Sequence, residues 1–237
     1  MSKNKIAVIP TYNEEENINA LLDAIFKIDQ DLHVLFIDDS SKDKTASLIR
    51  NSIYGFGSKI FLLIRPKKLG LGTAYITGFS WALEHNYEII IGMDADLSHD
   101  PSYIPLLIEG LQTNDGVIGS RYISGGKIKN WGFLRHSLSR LSSAYARIAL
   151  GVSIKDLTAG FSAWRASALK RINLTAIQSE GYTFQIELKY RALKKGLRLQ
   201  EIPIVFTERR AGTSKISGKI IFEAIWRTPW LRNKNFS

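Results

Sequence analysis

Residues 89–96, IIIGMDAD, set two carboxylates, Asp94 and Asp96, one residue apart just past a run of apolar residues. At the tip of a buried strand such a pair offers hard oxygen ligands to Mg²⁺ or Mn²⁺, with a nucleoside diphosphate completing the shell. The same spacing suits a strand-ending turn in which aspartates cap backbone N–H groups, and the pair alone does not separate the two. Two further clusters share this ambiguity. PTYNEEEN (10–17) is either part of a ligand site or a turn with an acidic start to a helix. DDSSKDKT (38–45) offers carboxylates to a ribose or base as readily as to the first N–H groups of a helix. Arg121, in GSRY (119–122), and Arg135 stand where an anion could be gripped, although a scattered arginine is otherwise a solvated charge or a surface ion pair. The basic stretch FTERRAGTSK (206–215) has the composition of a phosphate-binding loop and of any exposed loop.

These residues need strands to carry them. Short β-branched or apolar runs at 5–9, 33–37, 59–64 and 88–93 alternate with helical patterns at 18–28, 45–52 and 73–85. That alternation predicts βαβ units in a mostly parallel sheet, an α/β fold whose ligands sit beyond the carboxyl ends of the strands. All three polar clusters follow such strands. A fifth strand is expected at 117–121, a helix at 133–150, strands at 161–165 and 199–206, and a helix at 184–195. GLGTA (70–74) resembles a truncated dinucleotide fingerprint, but it lacks the third glycine and belongs to the third βα connection, where such a loop should open the fold. Residues 217–227, with Trp230, Leu231 and Arg232 beyond, set Ile220, Ile221, Ile225 and Trp226 among basic residues. This predicts an amphipathic C-terminal helix that lies in a membrane interface or packs on the core.

The chain has 237 residues, within reach of one α/β domain, and no linker or repeat divides it. Lys and Arg number 32 against 22 Asp and Glu, a net charge of +10 that favours anionic partners. Nucleic acid is excluded as the main partner, because carboxylates in the middle of a phosphate-binding face would repel the backbone. With no cysteine the chain has no disulfide, thiolate metal site or cysteine nucleophile, which suits a cytoplasmic setting. The apolar stretch before Pro10 is too short for a signal peptide, and no run approaches the roughly 20 residues of a spanning helix, so membrane contact is expected to be peripheral.

Eight short motifs in order, PTYNE (10–14), DDS (38–40), LGLGTA (69–74), DADLSHDP (94–101), GSRY (119–122), the arginine stretch 131–140, DLTAGF (156–161) and RRAGTSK (209–215), resemble the dolichol-phosphate (polyprenol-phosphate) mannose synthases. These are inverting family-two glycosyltransferases. The resemblance implies a GT-A fold, Rossmann-like, with a mixed, mostly parallel sheet flanked by helices. It implies that Pro10, Tyr12, Glu14 and Asp39 hold the nucleoside, that Asp94 and Asp96 lie at the diphosphate, and that Arg209 and Lys215 close over it. Asp94, Asp96 and Ser98 are the implied metal residues for Mg²⁺ or Mn²⁺. Arg121, Arg135 and Ser139 are implied to grip the acceptor phosphate, and Asp96, Arg121 and Arg135 to carry catalysis. The implied donor is GDP-mannose and the acceptor polyprenyl or dolichyl phosphate; the alternative is UDP-glucose as donor. A phosphate monoester has a second pKa of about 6 and needs no base to act as nucleophile. The chain is thus expected to be one domain, with a nucleotide-sugar half (1–122), an acceptor half (123–216) and a membrane-interface tail (217–237), peripheral on the cytoplasmic face of an anionic membrane. That arrangement leaves room for a membrane-anchoring partner protein. A silent scaffold is the outlying alternative, ranked low because the carboxylates and arginines all stand.

Overall fold

The computed structural model describes residues 4–130, 132–208, 228–232 and 234, without the side chains of Phe133, Leu134, Arg135 and Tyr182. Its first half runs Lys5–Thr11 (β1), Ile18–Ile28 (α1), His33–Asp38 (β2), Thr45–Phe56 (α2), Ile60–Ile64 (β3), Leu71–Glu84 (α3), Ile89–Gly92 (β4), Ile104–Gly110 (α4) and Gly116–Ser120 (β5). Lys127–Lys129 (β6), Phe133–Leu150 (α5), Ser162–Arg165 (β7), Ala166–Ile172 (α6), Gly181–Lys194 (α7), Leu199–Pro203 (β8) and Val205–Thr207 (β9) follow. The main sheet has the order β3-β2-β1-β4-β7-β5-β8, and β6 pairs with β9 beside it. β7 alone runs antiparallel to its neighbours β4 and β5, so the sheet is mixed and mostly parallel, as expected.

The alternating register of β1 sorts the core. Ala7 and Ile9 face a cluster with Ile18, Leu21 and Ile25 of α1, Ile49 of α2 and Leu107 of α4. Ile6 and Val8 point the other way, onto Tyr75 and Phe79 of α3, Leu169 of α6 and Phe184 and Leu188 of α7. A strand covered on both faces reads as a continuous apolar run, which is why IAVI has no polar alternation. A third cluster joins Ala146 and Leu150 of α5 to Ile118, Leu157, Tyr190 and Leu231. α3 lies close on the sheet because Gly78 gives it room: a Cβ there would meet Val8 Cγ1 at 2.3 Å.

The expected strand at 199–206 divides. β8 pairs with β5 as far as Pro203, which has no N–H to continue a ladder, and β9 turns to pair with β6. No helix among the described residues is long and apolar enough to cross a membrane.

Candidate active site

From β1 the chain steps outward through β2 to β3, then crosses back to place β4 on the other side of β1. The carboxyl ends of β1 and β4 therefore diverge into a crevice, the usual ligand position in such sheets. A cavity of about 260 Å³ occupies it, lined by Pro10, Tyr12 and Glu14 after β1, Asp39 after β2, and Asp94 and Asp96 after β4, with Lys68 and Glu180 on its rim. Six of the residues expected at the nucleotide sugar are thereby in one cavity.

The loops after β1 and β2 clasp each other. Thr11 Oγ1 donates to Asp38 Oδ2 (3.1 Å), Asn13 N to Ser41 Oγ (2.9 Å), Glu14 N to Thr45 Oγ1 (2.8 Å), Lys42 N to Asn13 Oδ1 (2.9 Å) and Lys44 N to Glu15 Oε2 (2.8 Å). The glutamates thus precede α1 instead of forming its first turn. Burial would raise the Asp43 carboxyl, but bonds from Thr45 and Glu15 outweigh it and hold the group below its ordinary range. Asp38 and Asp43 are framework. Asp39 borders the cavity and also organises it: Arg65 forms an ion pair with its Oδ1, and its Oδ2 accepts from Leu69 N (3.2 Å) and Gly70 N (3.0 Å). Gly70 sits at φ +97°, a conformation side chains resist, which accounts for the first glycine of the rejected fingerprint.

Asp94 and Asp96 differ in setting. Asp94 has a side chain 32% exposed and accepts from Tyr75 Oη at 3.0 Å. Its backbone N–H donates to His99 Nδ1 (3.0 Å), which leaves the ring proton on Nε2, facing Asp94 Oδ2 at 3.8 Å. Burial lowers the His99 pKa against the pull of Asp94 and Asp96, so the ring is neutral, stacked on Phe161. Asp96 is 8% exposed, and its Oδ1 accepts from Ser98 N (3.1 Å) and Ser98 Oγ (2.6 Å). Ser98 therefore steers the carboxylate of Asp96. Between them Leu97 takes φ +59°, as Asn13 and Ser40 take +54° and +56° after the first two strands. Backbone held in this region costs of order 1 kcal/mol or more per residue and clusters at functional sites.

This donor set fits a hard divalent cation. Among the described residues no group of three or more His, Cys, Asp or Glu is arranged to hold a metal, so two carboxylates would leave most positions of an oxygen shell to diphosphate and water. That is the pattern Mg²⁺ and Mn²⁺ accept.

Arg121 follows β5 on the same edge of the sheet. Its backbone N and Nε donate to Asp156 Oδ2 (2.9 and 2.8 Å) and its Nη2 to Asp156 Oδ1 and Thr158 Oγ1 (2.7 and 2.8 Å). Burial would raise the Asp156 carboxyl, but the Arg121 charge and bonds hold it below the ordinary range. Tyr122 Oη donates to Ser139 Oγ at 2.7 Å, tying the strand end to α5. Because β7 runs backwards, the segment that precedes it, 156–161, lies between Arg121 and Asp94; a Cβ on Gly160 would sit 3.4 Å from Asp94 Oδ1 and 3.3 Å from His99 Cε1.

Arg135 lies in the first turn of α5, its side chain outside the described residues, as are Arg209, Lys215 and residues 217–227 of the expected amphipathic helix. Residues 228–232 are helical; Thr228 and Leu231 are buried, while Trp230 is exposed beneath Lys234. Sequence reasoning missed Arg65, Tyr75, His99 and Asp156 as supports. His99 and Asp156 lay inside quoted motifs, whereas Arg65 and Tyr75 carried no local signal.

The Glycosyl transferase family 2 model matches residues 6–172. The chain is 40% identical to a polyprenol monophosphomannose synthase of Mycolicibacterium smegmatis over 95% of this chain and 86% of that one. It is 43% identical to an undecaprenyl-phosphate mannosyltransferase of Micrococcus luteus, over 93% and 90%. A dolichol-phosphate mannosyltransferase of Pyrococcus furiosus is 37% identical over 91% of this chain, which spans 60% of that longer protein. Among solved structures, glucosyl-3-phosphoglycerate synthase from Mycobacterium tuberculosis, in complex with Mn²⁺, UDP-glucose and phosphoglyceric acid, superposes with a TM-score of 0.67 at 18% identity, over 98% of this chain and 80% of that one. This likeness concerns the fold.

Proposed function

This chain belongs to glycosyl transferase family 2, and on that premise we propose that it transfers mannose from GDP-mannose to the phosphate of a polyprenol, with inversion, giving a β-linked polyprenyl phosphomannose. The observation that carries the proposal is the single sheet edge on which the Asp94–Asp96 cavity meets, across Gly160, the corner where Asp156 holds the Arg121 guanidinium. The three relatives agree in mannose and a polyprenol-type lipid phosphate, which supports this reading.

In this reading Pro10, Tyr12, Glu14 and Asp39 receive the nucleoside, while Arg209 and Lys215 cover its diphosphate. Asp96, steered by Ser98, and Asp94 would hold Mg²⁺ or Mn²⁺. When bound, such a cation offsets charge on the leaving diphosphate. Arg121, Arg135 and Ser139 aim an acceptor oxygen at the anomeric carbon for in-line displacement. Neither His99, neutral and buried, nor any other base needs to take a proton, since the acceptor phosphate is already anionic at neutral pH. Residues 1–122 then form the donor half and 123–216 the acceptor half.

A lipid acceptor requires a membrane face, and α5 supplies one. Leu138, Leu141, Tyr145 and Ile148 recur on one side of this helix, Leu141 67% and Ile148 71% exposed. The helix contains Arg135, Arg140 and Arg147 and no acidic residue. We place this stripe on the anionic cytoplasmic leaflet, and assign the basic, Ile- and Trp-bearing tail at 217–237 to the same membrane interface on its sequence. The test is purified protein with Mg²⁺ or Mn²⁺, polyprenyl phosphate and labelled GDP- and UDP-sugars. Mannosyl transfer from GDP-mannose alone is expected; preference for UDP-glucose would replace the donor assignment, and transfer to no lipid phosphate would overturn the reading.

A further inference from the structure

Lys189, in the middle of α7, is fully buried and lies outside the cavity lining. Its Nζ donates to Leu157 O (3.0 Å), to Ala159 O (2.7 Å) and to Gln185, at Oε1 (3.3 Å) and O (3.4 Å). Three partners match the three N–H donors of an ammonium, whereas a neutral amine has two. Leu157 and Ala159 belong to the segment whose Asp156 holds Arg121 and whose Gly160 abuts Asp94 and His99. One buried cation therefore ties α7 to the strip between the two halves of the site.

The groups facing this cation come from three elements. Asp156, before β7, and Glu201, on β8, favour the charged form, and Arg121, after β5, opposes it; burial is the largest influence and brings the pKa down to about 7. Glu187 and Arg191, the other buried ions of α7, are paired with each other.

We propose that Lys189 is a positioning residue for the transfer reaction: its ammonium fixes residues 156–160 so that Asp156 presents Arg121 to the acceptor phosphate. This rests on the polyprenyl-phosphate reading above. Deprotonation above neutrality removes one of three bonds, loosens the segment and weakens acceptor use while leaving nucleotide binding alone.

The test compares wild type with Lys189→Met between pH 6 and 9, measuring kcat/KM for polyprenyl phosphate beside calorimetric GDP binding with Mn²⁺. Titration of the acceptor phosphate is common to both proteins and cancels in their ratio. That ratio is expected to be at least about tenfold at pH 6, the worth of a charged hydrogen bond, and to fall to a smaller plateau by pH 9, where the neutral amine still donates bonds that Met lacks, with GDP affinity matched within about twofold throughout. Gln185→Met, which removes one partner of the ammonium, keeps the idea testable if Lys189→Met fails to fold; its alkaline loss of acceptor use should begin at lower pH than in wild type. A ratio that does not change with pH, a parallel loss of GDP affinity, or a Gln185→Met profile superimposed on wild type overturns the role of Lys189. Wild type that uses no polyprenyl phosphate at any pH overturns the underlying functional reading instead.

Discussion

Replacing Asp156 by Asn changes almost no volume and removes one charge from a pair whose members are buried. Asp156 accepts from Arg121 N, Nε and Nη2 and, at 3.2 Å, from Thr158 Oγ1, so an amide in its place turns a donor toward the guanidinium. Truncating one partner of a buried pair costs about 3–5 kcal/mol; the Arg121 side chain is 9% exposed and can partly rehydrate, which favours the lower end, about 3 kcal/mol. For a chain of this length that corresponds to a fall in Tm of about 6–12 °C. The folded pKa of Asp156 is depressed, so its contribution is complete above the unfolded value of about 3.9 and is lost as pH falls below it. Urea unfolding should therefore show the Asn variant weaker at neutral pH and converging on wild type in acid. The double variant Arg121→Met with Asp156→Leu leaves neither member of the pair as a lone charge and should regain part of the stability, short of wild type because Arg121 N and Thr158 Oγ1 lose their acceptor, but none of the transfer activity. A single-variant loss below about 1 kcal/mol, a double variant no more stable than the single, or transfer that returns with stability would refute this account.

Asp96→Ala should fold normally, retain under about 1% of transfer and lose the Mn²⁺ dependence of GDP binding, as titrated by calorimetry; near-normal transfer in EDTA would remove the metal from the proposal. Leu141→Asp with Ile148→Asp should abolish flotation with vesicles containing anionic phosphatidylglycerol while leaving GDP affinity unchanged. Undiminished flotation, or a shift from dimer to monomer in light scattering, would assign the α5 stripe to another partner.

The strand ends were legible because covered strands are apolar on both faces, and a polar cluster after IAVIP, LFID or IIIGM stands out against them. The expected helix at 133–150 coincides with α5, since its apolar spacing holds from end to end. β6 escaped notice because three residues, KIK, carry no period, and α4 because Pro105 stands in its first turn. The clasp between the first two loops was also illegible, as its partners are 27 to 31 residues apart and each polar side chain reads locally as a cap. Lys189 gave no warning either: in FQIELKYRALKK a lysine between Leu and Tyr resembles any solvated helix charge, and only the tertiary fold buries it. The eight ordered motifs pointed to the family that the comparisons show, whereas the individual residue roles remain proposals that the geometry supports.

The reversed direction of β7 has a bearing on how such an enzyme diversifies. A parallel strand brings its carboxyl end to the edge that carries the cavity, but β7 brings its beginning, so the residues ahead of it enter between the Asp94 loop and Arg121 from the opposite sense of the chain. The lining at residues 10–14 and 39 then shares no loop with Arg121 and Asp156, and the two groups meet where Gly160 approaches Asp94. If the first group receives the base and sugar, as proposed, their exchange can proceed by substitution without retuning the second. On the proposed assignment, an engineer seeking a new acceptor would vary 120–122 and 139 and hold Gly160 constant, since a side chain there would press on Asp94 and His99.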